Sequence, residues 1–267
     1  MLGIKYQDWC NQASANVNQA IKSCIYRDAQ GYWNENMITG EILSSLIKIG
    51  TDINWKDKPL KTVWQGLKLS GTPETKYGDI AVIVRIWVNK EKYIDGVVFY
   101  EAKKQYFQNG AAAGFKSILK GQLNKFILNT SACHAVLYDF IETENGEQAI
   151  AATMQTPILN LLESIAKTAK TSRQVYDHSR LWIAALGENL IGRGLDFNNV
   201  TVQTMIDFFA SKASPNFVIS AAISFVEDFE PELIPNSIFG EKYKDFKHPD
   251  QPSPRRLYTK SDDLDLS

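Results

Sequence analysis

Two apolar runs, Asp79 to Trp87 and Gly96 to Gln105, constrain this chain more than any other part of it. Both are rich in Val, Ile, Phe and Tyr, which suit a pleated surface, so both read as β-strands. Each also carries an acidic residue where a core is expected. Side chains alternate faces along a strand. Asp79, Ala81, Ile83, Arg85 and Trp87 therefore share one face of the first strand, and Ile80, Val82, Val84, Ile86 and Val88 the other. In the second strand Val97, Phe99, Glu101, Lys103 and Gln105 share a face. The spacing of Glu101-Ala102-Lys103 sets a carboxylate beside an ammonium.

The segment between the strands, Asn89 to Asp95, is polar and runs into Asp95-Gly96, a hairpin signal. A hairpin makes the strands antiparallel neighbours. Asp79 begins its strand and Glu101 lies near the end of the next, so Asp79, Glu101 and Lys103 are expected at one end of the sheet. Charges there are costly to desolvate unless they are paired or hold a metal. Two carboxylates in one place suit a hard divalent cation such as Mg2+. An adjacent lysine can offset charge that develops on a phosphate. The alternative is an ordinary ion pair on a solvated sheet face, and the apolar residues around the motif argue against it.

An Asp heading one apolar strand and a Glu-x-Lys closing the next resemble the PD-(D/E)xK nuclease superfamily, with Gly78 where the motif has Pro. The resemblance spans residues 34–139. It implies an α/β fold with a restriction-endonuclease-like core, in the order helix, β-meander, helix, strand. It also implies a Mg2+- or Mn2+-dependent deoxyribonuclease in which Asp79, Glu101 and Lys103 are catalytic. A glutamate on the preceding helix often completes the metal site in that family. Glu41 flanks the helical stripe Ile38, Ile42, Leu43, Leu46 and Ile47 and is the first candidate, with Glu35 as its rival. Gln122-Leu123-Asn124-Lys125-Phe126 is similar to the Gln-x-x-x-Tyr element of RecB-type nucleases, with Phe for Tyr, which implies a positioning role for Gln122.

The same resemblance extends to phage-defence effectors, including Hachiman-type nucleases. It implies DNA as substrate and a companion ATPase, helicase or regulatory subunit, or a homo-oligomer, as the trigger. No GxxxxGK[ST] is present, so a motor would be another chain. Two other readings stand beside this one. The chain is a sequence-specific restriction endonuclease, or it is a non-catalytic binding subunit that kept the fold.

The expected organisation is a nuclease core with an N-terminal helix over residues 1–145, an α/β extension over 146–230, and a Pro-rich tail over 231–267. Helices are expected at 6–26, 115–129, 156–170 and 201–211, with a further helix carrying Glu41. Strands are expected at 61–69 and 133–140, and β-capable runs at 181–186 and 217–225. Gly192-Arg193-Gly194 reads as a turn.

Composition narrows the function classes. Lys plus Arg is 29 and Asp plus Glu 30, a net charge of −1, so no global attraction draws the chain to nucleic acid. A partner, an oligomer or a local basic groove must supply that affinity. Three Cys without a CxxC pair and three scattered His exclude zinc spacings and fit a reducing cytoplasm. No apolar run reaches membrane-spanning length. A 44% apolar content is enough for a full core.

Overall fold

The computed structural model describes residues 2–70, 78–115, 130–159, 178–210 and 214–246. It is a mixed α/β fold built on one large sheet. The strands are β1 (Leu2–Ile4), β2 (Asp52–Trp55), β3 (Lys61–Leu69), β4 (Ile80–Trp87), β5 (Tyr93–Lys104), β6 (Phe107–Gln108), β7 (Ala111–Ala112), β8 (Cys133–Thr143), β9 (Gly146–Gln155), β10 (Arg180–Leu181), β11 (Phe217–Ser224) and β12 (Tyr243–Asp245). The helices are α1 (Tyr6–Tyr26), α2 (Glu35–Ile47), α3 (Trp182–Asn189) and α4 (Asn199–Ala210).

The main sheet runs β1-β2-β3-β11-β4-β5-β8-β9-β10, and β12 pairs with β3. Strands β6 and β7 form a small hairpin in the connection that follows β5. Strands β4 and β5 are antiparallel as expected, with Ile80 opposite Tyr100 and Trp87 opposite Tyr93. The expected meander from β3 into β4 is interrupted. Strand β11 enters between them, antiparallel to β3 and parallel to β4, along all eight of its residues. The strands of segments 1–145 and 146–230 therefore share one sheet.

The reason is visible in β4. All eight of its residues are buried, so it needs partners on both edges and cover on both faces. Strand β11 is buried along its whole length too and meets the same demand. On one face Ile80, Val82, Val84, Val98 and Tyr100 pack under α1, α2 and α3. On the other, Ala81, Ile83, Val97, Phe99 and Val218 pack under Val202, Met205 and Phe209 of α4. A third cluster, Phe115, Ala135, Leu137, Met154 and Leu159, covers β8 and β9. Arg85 lies opposite Asp95 and pairs with it at 3.0 Å, which answers its charge near the end of β4 away from Asp79.

Helix α1 matches its expected bounds, and strand β3 does as well. The run 181–186 becomes helix α3 after a two-residue strand. Its Trp182 is fully buried against the rings of Tyr100 and Tyr138, at 5.9 and 6.3 Å, so tertiary packing outweighs β-propensity there. Strand β8 continues past its expected end into a hairpin with β9 that the sequence reading did not anticipate. The expected 156–170 helix begins at Thr156, but its residues from 160 onward lie outside the described residues. So does nearly all of the 115–129 helix, with Gln122, and the tail from 247. Among the described residues no helix is long and apolar enough to cross a membrane.

Because β11 is a central strand, the fragment 1–145 is expected not to fold cooperatively. Full-length protein should give one sigmoidal urea transition followed by circular dichroism, and the fragment a featureless slope. A cooperative transition in the fragment would contradict the inserted topology.

Candidate metal and phosphate site

Asp79 stands one residue before β4, beside Glu101 of β5. Its backbone N–H donates to the Tyr100 carbonyl at 3.0 Å, which continues the ladder one step beyond Ile80. The Phe217 N–H donates to the Asp79 carbonyl at 3.0 Å from the β11 side. The backbone of Asp79 is thus clamped between two strands. Its side chain is fixed as well: Oδ2 accepts the Ala102 N–H at 2.9 Å, and Oδ1 accepts from Asn216 Nδ2 at 3.3 Å.

Gly78 explains the departure from Pro at this position. Its φ is +99°, a conformation closed to Pro and strained for other L-residues. A Cβ here would also lie 2.7 Å from the Tyr100 carbonyl oxygen. The glycine lets the chain enter β4 hard against β5, which brings Asp79 beside Glu101.

Glu101 is only 4% exposed, and Lys103 Nζ donates to its Oε1 at 2.5 Å. Both lie on the Asp79 face, as the alternation predicts, between the cluster under α4 and the cluster over β8 and β9. The electrostatics follow from this enclosure. Burial pushes the Asp79 carboxyl above its ordinary value, opposed by Lys103 and the Ala102 N–H and reinforced by Glu35. Burial alone would pull the Lys103 ammonium down. The charge and hydrogen bond of Glu101, with Asp79 and Glu35, outweigh it and leave Lys103 raised.

The two helix glutamates separate. Glu41 pairs with Arg27 of the α1 C-terminus at 2.9 Å and is not at this site. Glu35 is. Its Oε1 accepts the Lys104 N–H at 3.3 Å, and its charge acts on both Asp79 and Lys103. Six residues along a helix turn the side chain by about 120° net, so both glutamates cannot face one point. Helix α2 is oriented by its first turn. Asn34 caps it by accepting the Met37 N–H at 2.9 Å, and Trp33 Nε1 donates to the Gln105 carbonyl at 2.9 Å. Together they hold Glu35 against the end of β5.

Asn216 and Asn36 are the site residues that sequence reasoning missed. Asn216 Nδ2 also donates to Asn36 Oδ1 at 2.9 Å, tying β11, β4 and α2 together. An Asn after Pro215 reads as part of a turn, and only the placement of β11 reveals its role.

As a donor set, Asp79 and Glu101 offer two hard carboxylates with Glu35 nearby, which fits an oxygen-preferring divalent cation. Among the described residues, no three His, Cys, Asp or Glu side chains close on one point. The arrangement is therefore a carboxylate pair with Glu35 as a nearby third carboxylate.

Two outcomes follow. Gly78→Ala should destabilise the protein by about 1–3 kcal/mol through strain and the carbonyl clash, measured by urea titration. A carboxyl raised by folding contributes stability below its unfolded value, and that contribution is lost as pH rises through its folded value. Chelator-treated protein should therefore lose stability as pH rises out of the acid range, and Asp79→Asn should raise its Tm at neutral pH by a few degrees. A lower Tm in Asp79→Asn would show that burial of this carboxylate is not the dominant effect.

No protein-family model matches this chain, and no curated protein and no solved structure matches it, so its function must be argued from this geometry.

Proposed function

We propose that this chain is a metal-dependent nuclease that hydrolyses phosphodiester bonds of DNA on a restriction-endonuclease-like core. One observation carries the reading. Asp79, just before β4, sits beside Glu101 of the antiparallel strand β5, and Lys103 is hydrogen-bonded to the buried Glu101. Helix α2, the antiparallel pair β4–β5 and the parallel strand β8 support this reading, with β11 standing between β3 and β4.

Each residue has a separable role. The Ala102 N–H and Asn216 hold the Asp79 carboxylate in one orientation. Glu101 presents a second carboxylate with little freedom to turn. Lys103 stays protonated and lies where it can offset negative charge on a phosphoryl group in the transition state. Glu35 is the helix carboxylate of the site, in the place that Glu41 was expected to fill. A Mg2+ or Mn2+ ion on Asp79 and Glu101 would supply Lewis-acid activation of the phosphodiester and of the attacking water.

The reading extends to an effector of prokaryotic anti-phage defence, held or licensed by a companion ATPase or helicase. A net charge of −1 gives weak attraction to DNA at large. A nuclease of low sequence specificity also needs restraint in its own cell.

Glu101→Ala and Lys103→Ala should each lower cleavage of labelled DNA in Mg2+ by at least about a hundredfold while the fold is kept. Glu35→Gln should lower it clearly, and Glu41→Ala should leave it within about threefold. EDTA should abolish cleavage, and Ca2+ should inhibit it. Wild-type rates in the Glu101 or Lys103 variant, or full activity in chelator, would refute the proposal.

A further inference from the structure

Gln105 closes the row of alternating side chains that carries Glu101 and Lys103. The N–H groups of Phe99 and Gln105 donate to the carbonyls of Ala132 and Tyr138 at 3.0 and 2.8 Å, an equal interval on both strands. The parallel ladder with β8 therefore keeps its step past Lys104, and Gln105 stands on the face of Phe99, Glu101 and Lys103. Lys103 has an acceptor-bearing residue on each side of it along that face. Glu101 precedes it and Gln105 follows it, each about 6.6 Å away along the strand.

Gln105 is fully buried. Trp33 Nε1 donates to its backbone carbonyl at 2.9 Å, and its own Nε2 donates to the Tyr106 carbonyl at 2.8 Å. Its backbone and amide nitrogen are thus fixed, and Oε1 is left without a hydrogen-bond partner. A buried amide oxygen in that state is costly, and native proteins keep few of them. The Tyr106 carbonyl does not depend on the amide, because it also accepts the Ala113 N–H at 2.7 Å.

Lys103 is the donor on this face that a loaded site would disturb. Its ammonium carries three N–H donors, and one of them goes to Glu101 Oε1 at 2.5 Å. A divalent cation held by Asp79 and Glu101 would place a second positive charge on the carboxylate that Lys103 now occupies. The two like charges repel at that range, and burial weakens the screening between them. Lys103 then needs another acceptor within reach of its stem.

We propose that Gln105 is a positioning residue whose Oε1 takes Lys103 when a divalent cation loads Asp79 and Glu101. The ammonium turns from Glu101 toward Gln105 and remains inside the site. One donor then holds it to the amide, and the others are left to face a phosphate. The unpartnered oxygen of the bare protein is the acceptor of the loaded one. The inference rests on the metal-site reading of Asp79 and Glu101 and requires nothing of DNA.

The test is calorimetric titration of the full chain with Mn2+, without DNA, in a double-mutant cycle. Gln105→Met roughly keeps the side-chain volume and removes the acceptor. It should weaken Mn2+ binding by about tenfold. In a Lys103→Met background the same change should alter affinity by less than about twofold, because no ammonium remains to be held. Metal-free Gln105→Met should match or exceed the wild-type urea midpoint, since it removes a buried oxygen that has no partner. A lower midpoint would show that the oxygen is already satisfied in the bare protein and overturns the proposal. Equal losses of Mn2+ affinity in the two backgrounds, or no loss in the first, also overturn the role of Gln105 and leave the metal site standing. Absence of Mn2+ binding by the wild type defeats the metal-site reading itself, and this inference with it.

Discussion

Strand β4 cannot be placed in water on any side. Its eight buried residues demand a ladder on each edge and a layer on each face, and the chain meets this by returning more than a hundred residues later to insert β11. The position of α4 on one face, of α1–α3 on the other, and of Asn216 beside Asp79 all follow from that insertion. The ladder from β3 through β11 and β4 to β5 is a rigid frame, and the acidic residues stand at one end of it.

A rigid frame is what a carboxylate cluster needs. Crowding Asp79, Glu101 and Glu35 without charge compensation would cost more than a small site can recover, so Lys103 is drawn in and kept charged. The compensation is incomplete, because burial still raises Asp79. Residual unfavourable electrostatics of this kind is relieved by a positive charge arriving from outside. A bound cation would therefore stabilise the site, a common property of centres that have functions other than holding the fold.

Much of this was legible from residue order because it rests on period-two alternation. That rule placed Asp79, Glu101 and Lys103 on a common face, and the polar hairpin brought them to a common end. It could not tell Glu35 from Glu41, since both flank the same apolar stripe. The choice was made by Arg27 on a neighbouring helix and by the cap at Asn34. Nor could local pattern show that β11 would split β3 from β4, because strand order within a sheet depends on contacts between distant segments. Trp182 illustrates the same limit: its run suits a strand, but aromatic partners on β5 and β8 hold it in a helix.

The separation of 137 residues between Asn216 and Asp79 has a consequence during synthesis. A chain emerging from the ribosome presents Asp79, Glu101 and Lys103 long before β11 exists, and a frame dominated by such distant pairings closes slowly. Until Phe217–Ser224 has emerged, β4 has an open edge and Asp79 lacks both its backbone clamp and its amide partner. The centre therefore matures only after the chain has been made through β11. Truncated products would carry the acidic residues without the geometry that orients them.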